Sequence, residues 1–160
     1  RTGTNSHLDI SLWDCAIASL ANQGQNQITS GQNPGLLGSG PPNLVPYQAF
    51  QTTDGWVVIA VGSDSQFEKL SQYLEFENVW PTNELRVNAR KEVVEMVQSK
   101  VIDMTKSQVC DLLEGIPTSP INKISEALAD AQSIARGVVT EWNGESVLAS
   151  PLRFISEREE

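Results

Sequence analysis

Histidine and cysteine are scarce in this chain, which has one histidine and two cysteines among its 160 residues. A single histidine without clustered cysteines argues against a zinc site, so we expect no bound metal. Cys15 and Cys110 are far apart in sequence, and both fall in predicted amphipathic helices. Such thiols fit inert core residues in a reducing compartment better than a disulfide framework. We therefore expect an intracellular protein, either cytoplasmic or mitochondrial.

Long apolar runs and an excess of positive charge are also missing. No stretch approaches 18 apolar residues and no basic segment precedes an apolar one, so we expect neither a transmembrane helix nor a signal peptide. The formal net charge of −9 argues against nucleic acid or an anionic membrane as partner. Hydrophobic residues make up 39% of the chain, a share low enough to be compatible with an interface left partly exposed.

Local signatures of catalysis are equally absent. The chain has no Gly-x-Ser-x-Gly nucleophile elbow, and spacing gives His7 no serine or cysteine partner. Gly38-Ser39-Gly40 lacks the Lys-Ser/Thr of a phosphate-binding loop and the spacing of a dinucleotide-binding loop. The residues alone therefore predict a soluble α+β protein without an assignable catalytic group.

The clearest local structure is a predicted hairpin followed by a helix. Residues 47–52 and 56–61 are predicted strands around Asp54-Gly55, because glycine accepts the backbone angles that a tight turn requires. The second strand is apolar at every position, which predicts that it is covered on both faces. A helix then begins at Ser63 or Asp64, either of which can cap it.

The chain before this hairpin is predicted to contain a strand, a helix and a long linker. The strand covers residues 7–10, and the helix begins at Ser11 in a capping box with Asp14 and fades into the polar stretch 22–27. Residues 29–46 are rich in glycine and proline. A loop of that length joins two domains or carries function.

Helices dominate the chain after the hairpin. One long helix is predicted from Thr82 or Asn83 to about residue 103, with Arg86, Arg90 and Lys91 solvated or paired with nearby glutamates. Further elements follow, namely a helix opened by the capping box of Thr105 and Gln108, an extended segment over 116–121, short helices over 123–136 and a hairpin around Asn143-Gly144. This order predicts the α+β class.

Several stretches resemble motifs of one enzyme family. Residues 45–67, VPYQAFQTTDGWVVIAVGSDSQF, resemble the opening of the small domain of the family III CoA-transferases, a family that includes the α-methylacyl-CoA racemases. Other matches follow the family's order, at Leu8–Leu12, Thr82–Arg90, Gly115–Asn122, Asp130–Gly137 and Pro151–Phe154. The chain departs from the family at Asn78–Pro81, where Asp-Pro-Arg-Phe is usual, and at Ala131, where proline is usual.

The resemblance implies a small α+β domain joined to a strand-helix remnant of a large Rossmann-like domain. It divides the chain into a large-domain remnant over 1–28, a Gly/Pro linker over 29–46, the small domain over 47–136 and a hairpin with a return linker over 137–160. Because the family's subunits interlock, the resemblance also implies a homodimer for the full-length protein.

The reaction implied by the resemblance moves coenzyme A between an acyl-CoA thioester and a carboxylate. Residues 45–50 look most like the dicarboxylate-using members. The nucleophilic aspartate would lie upstream of this chain, so none of its residues is catalytic and the fragment alone is expected to be inactive. Coenzyme A is implied as a substrate, and no covalently bound cofactor is implied.

Five residues are candidates for contact with substrate. The family's glycine-rich active-site loop corresponds approximately to Gly38-Ser39-Gly40 and the proline that follows, and the amides of Gly38 and Gly40 would stabilise developing oxyanions. Tyr47 and Gln48 follow on the first strand.

Two other functions remain open at this point. A racemase of the same superfamily would abstract a proton α to the thioester, with its catalytic histidine and aspartate again upstream. A non-catalytic interaction module would need no upstream aspartate, so the parent reading frame discriminates it from both enzymes.

Overall fold

The structure is a computed structural model of the chain and describes residues 8–33 and 35–152. In chain order its helices and strands are α1 (Leu12–Ala18), α2 (Ala21–Ser30), β1 (Tyr47–Thr52), β2 (Gly55–Ala60), α3 (Asp64–Tyr73), α4 (Asn83–Asn88), α5 (Arg90–Val101), α6 (Lys106–Leu112), β3 (Thr118–Ile121), α7 (Ile124–Ala129), α8 (Ala131–Ala135), β4 (Val139–Trp142) and β5 (Glu145–Leu148). None of the helices in these two ranges is long and apolar enough to cross a membrane.

An antiparallel sheet in the order β1-β2-β3 forms the centre of the molecule. Strands β1 and β2 pair with Thr52 opposite Gly55, so the predicted hairpin forms, with β2 beginning at Gly55, one residue earlier than predicted. Strand β3 pairs with the other edge of β2, with Ser119 opposite Val58, as expected for the predicted extended segment over 116–121. The turn is held by Asp54, whose Oδ1 accepts the Lys106 N–H at 2.8 Å.

The core lies on one face of this sheet, where α3, α5 and α6 cover it. Its members are fully or almost fully buried apolar side chains, including Phe50, Val57, Ile59, Phe67, Leu70, Val93, Val97, Val109 and Leu113. On β2 the buried residues alternate with Trp56, which is 48% exposed, and the half-buried Val58. The prediction that β2 is covered on both faces is therefore wrong within this chain, because an antiparallel sheet can pack a single face.

The predicted long helix is divided into α4 and α5. Ala89 has φ −104° and ψ 32°, outside the helical range, and it ends α4 and begins α5. Neither proline nor glycine lies at this position, so composition gives no signal for the break. The N-caps Ser63, Thr82 and Thr105 are confirmed, since each side chain accepts an N–H in the first turn of its helix.

The region before the glycine-rich linker differs from its prediction. Residues 8–10 form no strand, and His7 lies outside the described residues. Ser11 caps α1, but the chain then forms a second helix, α2, where a polar stretch was expected to end the helical region. Cys15 is exposed and therefore not a core residue, whereas Cys110 is half-buried and burial raises the pKa of its thiol.

The C-terminal hairpin forms as predicted. Strands β4 and β5 pair around Asn143 and Gly144, with Trp142 opposite Glu145. Both turn residues have positive φ, 53° and 82°, which is the requirement that favours Asn-Gly in such turns. Every residue of the two strands is exposed.

Acid is expected to weaken the turn at Asp54. Hydrogen bonds from the Lys106 N–H and the Thr52 hydroxyl lower the pKa of Asp54 below its ordinary value of 3.8. A lowered pKa stabilises the fold above the unfolded value, and that stabilisation is lost as the pH falls through the folded value. Asp54→Asn should therefore be less stable than the wild type at neutral pH, and the difference should shrink below pH 3.8.

The measurement is the urea midpoint of both proteins at neutral pH and at about pH 2, well below the ordinary pKa of an aspartate. Asp103→Asn is the matched control, since Asp103 makes no side-chain hydrogen bond within the described residues. A stability difference that stays the same at both pH values would contradict the lowered pKa of Asp54.

Candidate functional site

The glycine-rich loop leads directly into the edge of the sheet. Residues 35–46 contain neither helix nor strand, and a tight turn forms in which the Gly40 N–H donates to the Leu37 carbonyl oxygen at 3.3 Å. Gly38 occupies the turn with φ +63°, in the left-handed region that favours glycine. The Gly40 amide is thus engaged within the loop.

Strand β1 is an edge strand, and side chains bind its outward backbone groups at Ala49 and Gln51. The Ala49 N–H donates to the Ser39 hydroxyl oxygen at 3.0 Å. Further along, Gln51 exchanges two hydrogen bonds of 2.9 Å with the side-chain amide of Gln98 on α5. Backbone groups bonded in this way are not free to pair with another strand. The hydrogen bond between Ser39 and Ala49 also fixes the glycine-rich loop to β1.

Gly40 is buried where the loop meets β1 and α5. A Cβ placed on it would lie 3.2 Å from the Gln48 Oε1 atom and 3.6 Å from the Arg90 Nη1 atom. The first distance is tight, so this position accepts a larger residue only if Gln48 moves. The structure thus brings together three of the predicted site residues, Ser39, Gly40 and Gln48.

The other two candidate residues lie apart from this cluster. Gly38 is exposed at the turn. Tyr47 is 38% exposed and, because side chains alternate along a strand, lies on the face opposite Gln48 and Phe50. Tyr47 is therefore not part of the cluster around Gly40.

A groove of about 640 Å³ opens beside the loop. Its lining includes Leu36, Leu37, Gln48, Arg90, Lys91 and Glu95. Partial burial lowers the pKa of Arg90, but a guanidinium remains protonated in proteins. Another depression, of about 370 Å³ between α2 and residues 42–43, is lined only by neutral residues. The charged residues that line the first groove are two cations, Arg90 and Lys91, and two glutamates, Glu92 and Glu95, so their charges balance.

Arg86 is the residue whose environment differs most from its prediction. It was expected to be solvated or paired with a nearby glutamate, but it is 1% exposed and pairs with Asp64 at 2.7 Å. Its Nε and Nη1 atoms donate to the carbonyl oxygens of Val45 and Trp80 at 2.8 and 3.1 Å. Arg90 was also mispredicted, since its Nη2 atom donates to the Pro42 carbonyl oxygen at 2.6 Å. Lys91 pairs weakly with Glu95, as expected.

No metal site is found in residues 8–33 and 35–152. These ranges contain no group of three or more histidine, cysteine, aspartate or glutamate residues placed to bind an ion.

The fold and the loop define a small α+β domain that carries a glycine-rich loop on the edge of its sheet. The family model for CoA-transferase family III matches residues 1–159, and the chain belongs to that family. The resemblance seen in the sequence is thereby confirmed, together with the predicted fold class.

Similar proteins extend well beyond the length of this chain. The succinate–glutarate CoA-transferase of Agrobacterium fabrum is 34% identical over 158 residues, which cover 94% of this chain and 40% of that protein. The succinyl-CoA:glutarate CoA-transferase of Mus musculus is 31% identical, and the match covers 92% of this chain and 35% of that protein. A crystal structure of a CaiB/BaiF family protein from Brucella suis matches with a TM-score of 0.76 and 34% identity, covering 96% of this chain and 42% of that one. The chain thus spans well under half the length of each relative.

Proposed function

We propose that this chain supplies the small domain and the glycine-rich loop of an acyl-CoA:carboxylate CoA-transferase whose acceptor is a dicarboxylate. The observation that carries the proposal is the family match over residues 1–159, together with 34% identity to a succinate–glutarate CoA-transferase.

The domain division implied by the sequence is part of this proposal. Residues 1–28 would belong to the large domain, 29–46 to the linker, 47–136 to the small domain and 137–160 to the return toward the large domain. Leu12, Trp13 and Ile17 on α1 are 89%, 72% and 51% exposed, and no residue of this helix is buried. Apolar side chains exposed together in this way mark sites of protein–protein contact. This surface fits contacts with the rest of an interlocked homodimer.

The chemistry begins at an aspartate that we assign to the protein upstream of this chain. Its carboxylate attacks the thioester carbonyl carbon, CoA thiolate leaves, and a mixed anhydride forms. The thiolate then attacks the aspartyl carbonyl, which releases the donor's carboxylate and leaves an aspartyl-CoA thioester. The acceptor carboxylate displaces the thiolate to give a second anhydride. Attack of the thiolate on the acceptor's carbonyl yields the new thioester and regenerates the aspartate.

The glycine-rich loop would act on the charge that develops in these steps. Each attack on a carbonyl creates an oxyanion, and a fixed N–H stabilises it at little cost when it is already oriented. Gly38 is the candidate donor because it is exposed at the turn. Gly40 contributes by its lack of a side chain, which allows the loop to pack against Gln48.

The test is a transfer assay on the gene product that contains this chain. With succinyl-CoA and glutarate we expect glutaryl-CoA and succinate in equal amounts, because the reaction exchanges one thioester for another. Hydroxylamine should trap the acyl-enzyme on an aspartate outside residues 1–160. The 160-residue chain alone is the control, and we expect it to be inactive.

Other outcomes would replace the proposal with one of its competitors. If transfer and trapping fail but the α-proton of a 2-methylacyl-CoA exchanges with deuterium from solvent, the protein is a racemase. If neither reaction occurs and no acyl-CoA binds, it is a non-catalytic module.

A further inference from the structure

The short segment between the glycine-rich loop and β1 has few ways to satisfy its own backbone. It contains Pro42 and Pro46, which have no N–H, and it lies outside helix and strand. Buried backbone groups in such a segment need partners from elsewhere in the protein. For the segment from Pro42 to Val45, these partners are side chains on α4 and α5.

Three side chains from those helices bind this segment. The amide of Asn83 donates to the Asn43 carbonyl oxygen at 2.7 Å and accepts the Val45 N–H at 3.3 Å. Arg86 donates to the Val45 carbonyl oxygen at 2.8 Å, and Arg90 donates to that of Pro42 at 2.6 Å. Four hydrogen bonds therefore hold the segment from Pro42 to Val45, through the backbone of Pro42, Asn43 and Val45.

The spacing of these side chains explains how they act together. Asn83 and Arg86 are three residues apart on α4, which places them on one side of that helix. Arg90 is the first residue of α5, just after the break at Ala89, and it reaches the same segment from there. The loop is anchored on its other side by Ser39, through the Ala49 N–H. Residues 39–45 are thus held at one end by the bond between Ser39 and Ala49, and at the other end by the side chains of α4 and α5.

We propose that Asn83, Arg86 and Arg90 form a clamp of positioning residues that holds the glycine-rich loop in the arrangement required for CoA transfer. This inference rests on the proposed function. It assigns to the Thr-Asn-x-x-Arg-x-x-x-Arg pattern a role in setting the loop, without contact with the reacting atoms. Arg90 is the residue to test, because it is only partly buried and joins the clamp by a single hydrogen bond.

The experiment compares Arg90→Gln, Arg90→Lys and Lys91→Gln in the gene product that contains this chain. Lys91→Gln removes the same charge from the neighbouring position, where the side chain is 82% exposed and does not reach the segment. Hydrogen–deuterium exchange of residues 36–46 is measured first. Steady-state kcat and KM are then measured with glutarate and with succinate as acceptors.

For Arg90→Gln we expect exchange in residues 36–46 to accelerate on the order of tenfold, as for loss of a charge-assisted hydrogen bond. We expect kcat to fall by a similar factor with both acceptors, without a selective rise in either KM. Arg90→Lys should recover most of both properties, since an ammonium can donate to the Pro42 carbonyl oxygen. Lys91→Gln should match the wild type.

Two results would overturn the clamp. One is unchanged exchange in Arg90→Gln. The other is a selective rise in an acceptor's KM without faster exchange, which would make Arg90 a substrate ligand. If the wild type itself transfers no CoA, the proposed function fails and so does the catalytic role of the clamp, while the exchange rates still decide whether Arg90 holds the loop.

Discussion

Replacing Arg86 by methionine is expected to lower the free energy of unfolding by about 3 kcal/mol or more, because buried backbone groups lose their donor. Methionine fills a similar space but donates no hydrogen bond. The carbonyl oxygen of Val45 would then be buried without this donor, and the partly buried carbonyl oxygen of Trp80 would also lose its donor. The ion pair with Asp64 contributes less to the loss, because Asp64 is 54% exposed and can be rehydrated.

A second substitution separates the shape of the arginine from its charge. Arg86→Lys keeps the charge, but an ammonium cannot replace a planar guanidinium that donates in three directions. We expect it to recover less than half of the lost stability. Urea unfolding and hydrogen exchange at residues 45–52 give the two readouts. An Arg86→Met protein within about 0.5 kcal/mol of the wild type, the range of ordinary surface substitutions, would show that water or a shifted backbone replaces the arginine.

The elements that the sequence predicted well are those set by short-range rules. The hairpin of β1 and β2 follows from Asp54-Gly55, and the starts of α3 and α6 follow from Ser63 and Thr105. In each case the deciding hydrogen bond or backbone angle lies within three residues. Such features are visible in a single sequence because the residues that decide them are neighbours, although the distant Lys106 also holds the β1–β2 turn.

Arg86 could not be placed in this way, because its partners are distant in sequence. Asp64, Val45 and Trp80 lie 22, 41 and 6 residues away. A charged residue in a helix with glutamates nearby is usually solvated, and helical periodicity identifies buried positions only through apolar side chains. The resemblance identified the Thr82–Arg90 segment as a family motif, but it did not predict whether the arginines of that segment are buried or exposed.

The candidate site was predicted through the resemblance more than through residue chemistry. Ser39 and Gly40 were named from the loop's correspondence to the family, and Gln48 was named with Tyr47 on the strand that follows. The structure brings Ser39, Gly40 and Gln48 together, whereas alternation along β1 places Tyr47 on the other face. Arg90 was missed because its partner, the Pro42 carbonyl oxygen, is 48 residues away.

Phe67→Ala is expected to cost about 3–5 kcal/mol of unfolding free energy, the usual range for truncating a buried phenylalanine. Phe67 is fully buried in the core. Its ring meets Phe76 edge to face at 5.9 Å, and the guanidinium carbon of Arg86 lies 4.5 Å above its centre. Alanine would bury less apolar surface, and it would also leave a cavity below Arg86.

Phe67→Leu tests whether the aromatic face matters beyond the volume it fills. Leucine keeps most of the apolar burial but offers no ring to the guanidinium, so we expect a smaller loss than for alanine. A double-mutant cycle of Phe67→Leu with Arg86→Met isolates the pair. We expect a coupling of about 1–2 kcal/mol, because a desolvated cation over a ring is worth more than an exposed one. Additive losses would mean that Phe67 supports Arg86 by packing alone, and that the hydrogen bonds to Val45, Trp80 and Asp64 fix the arginine by themselves.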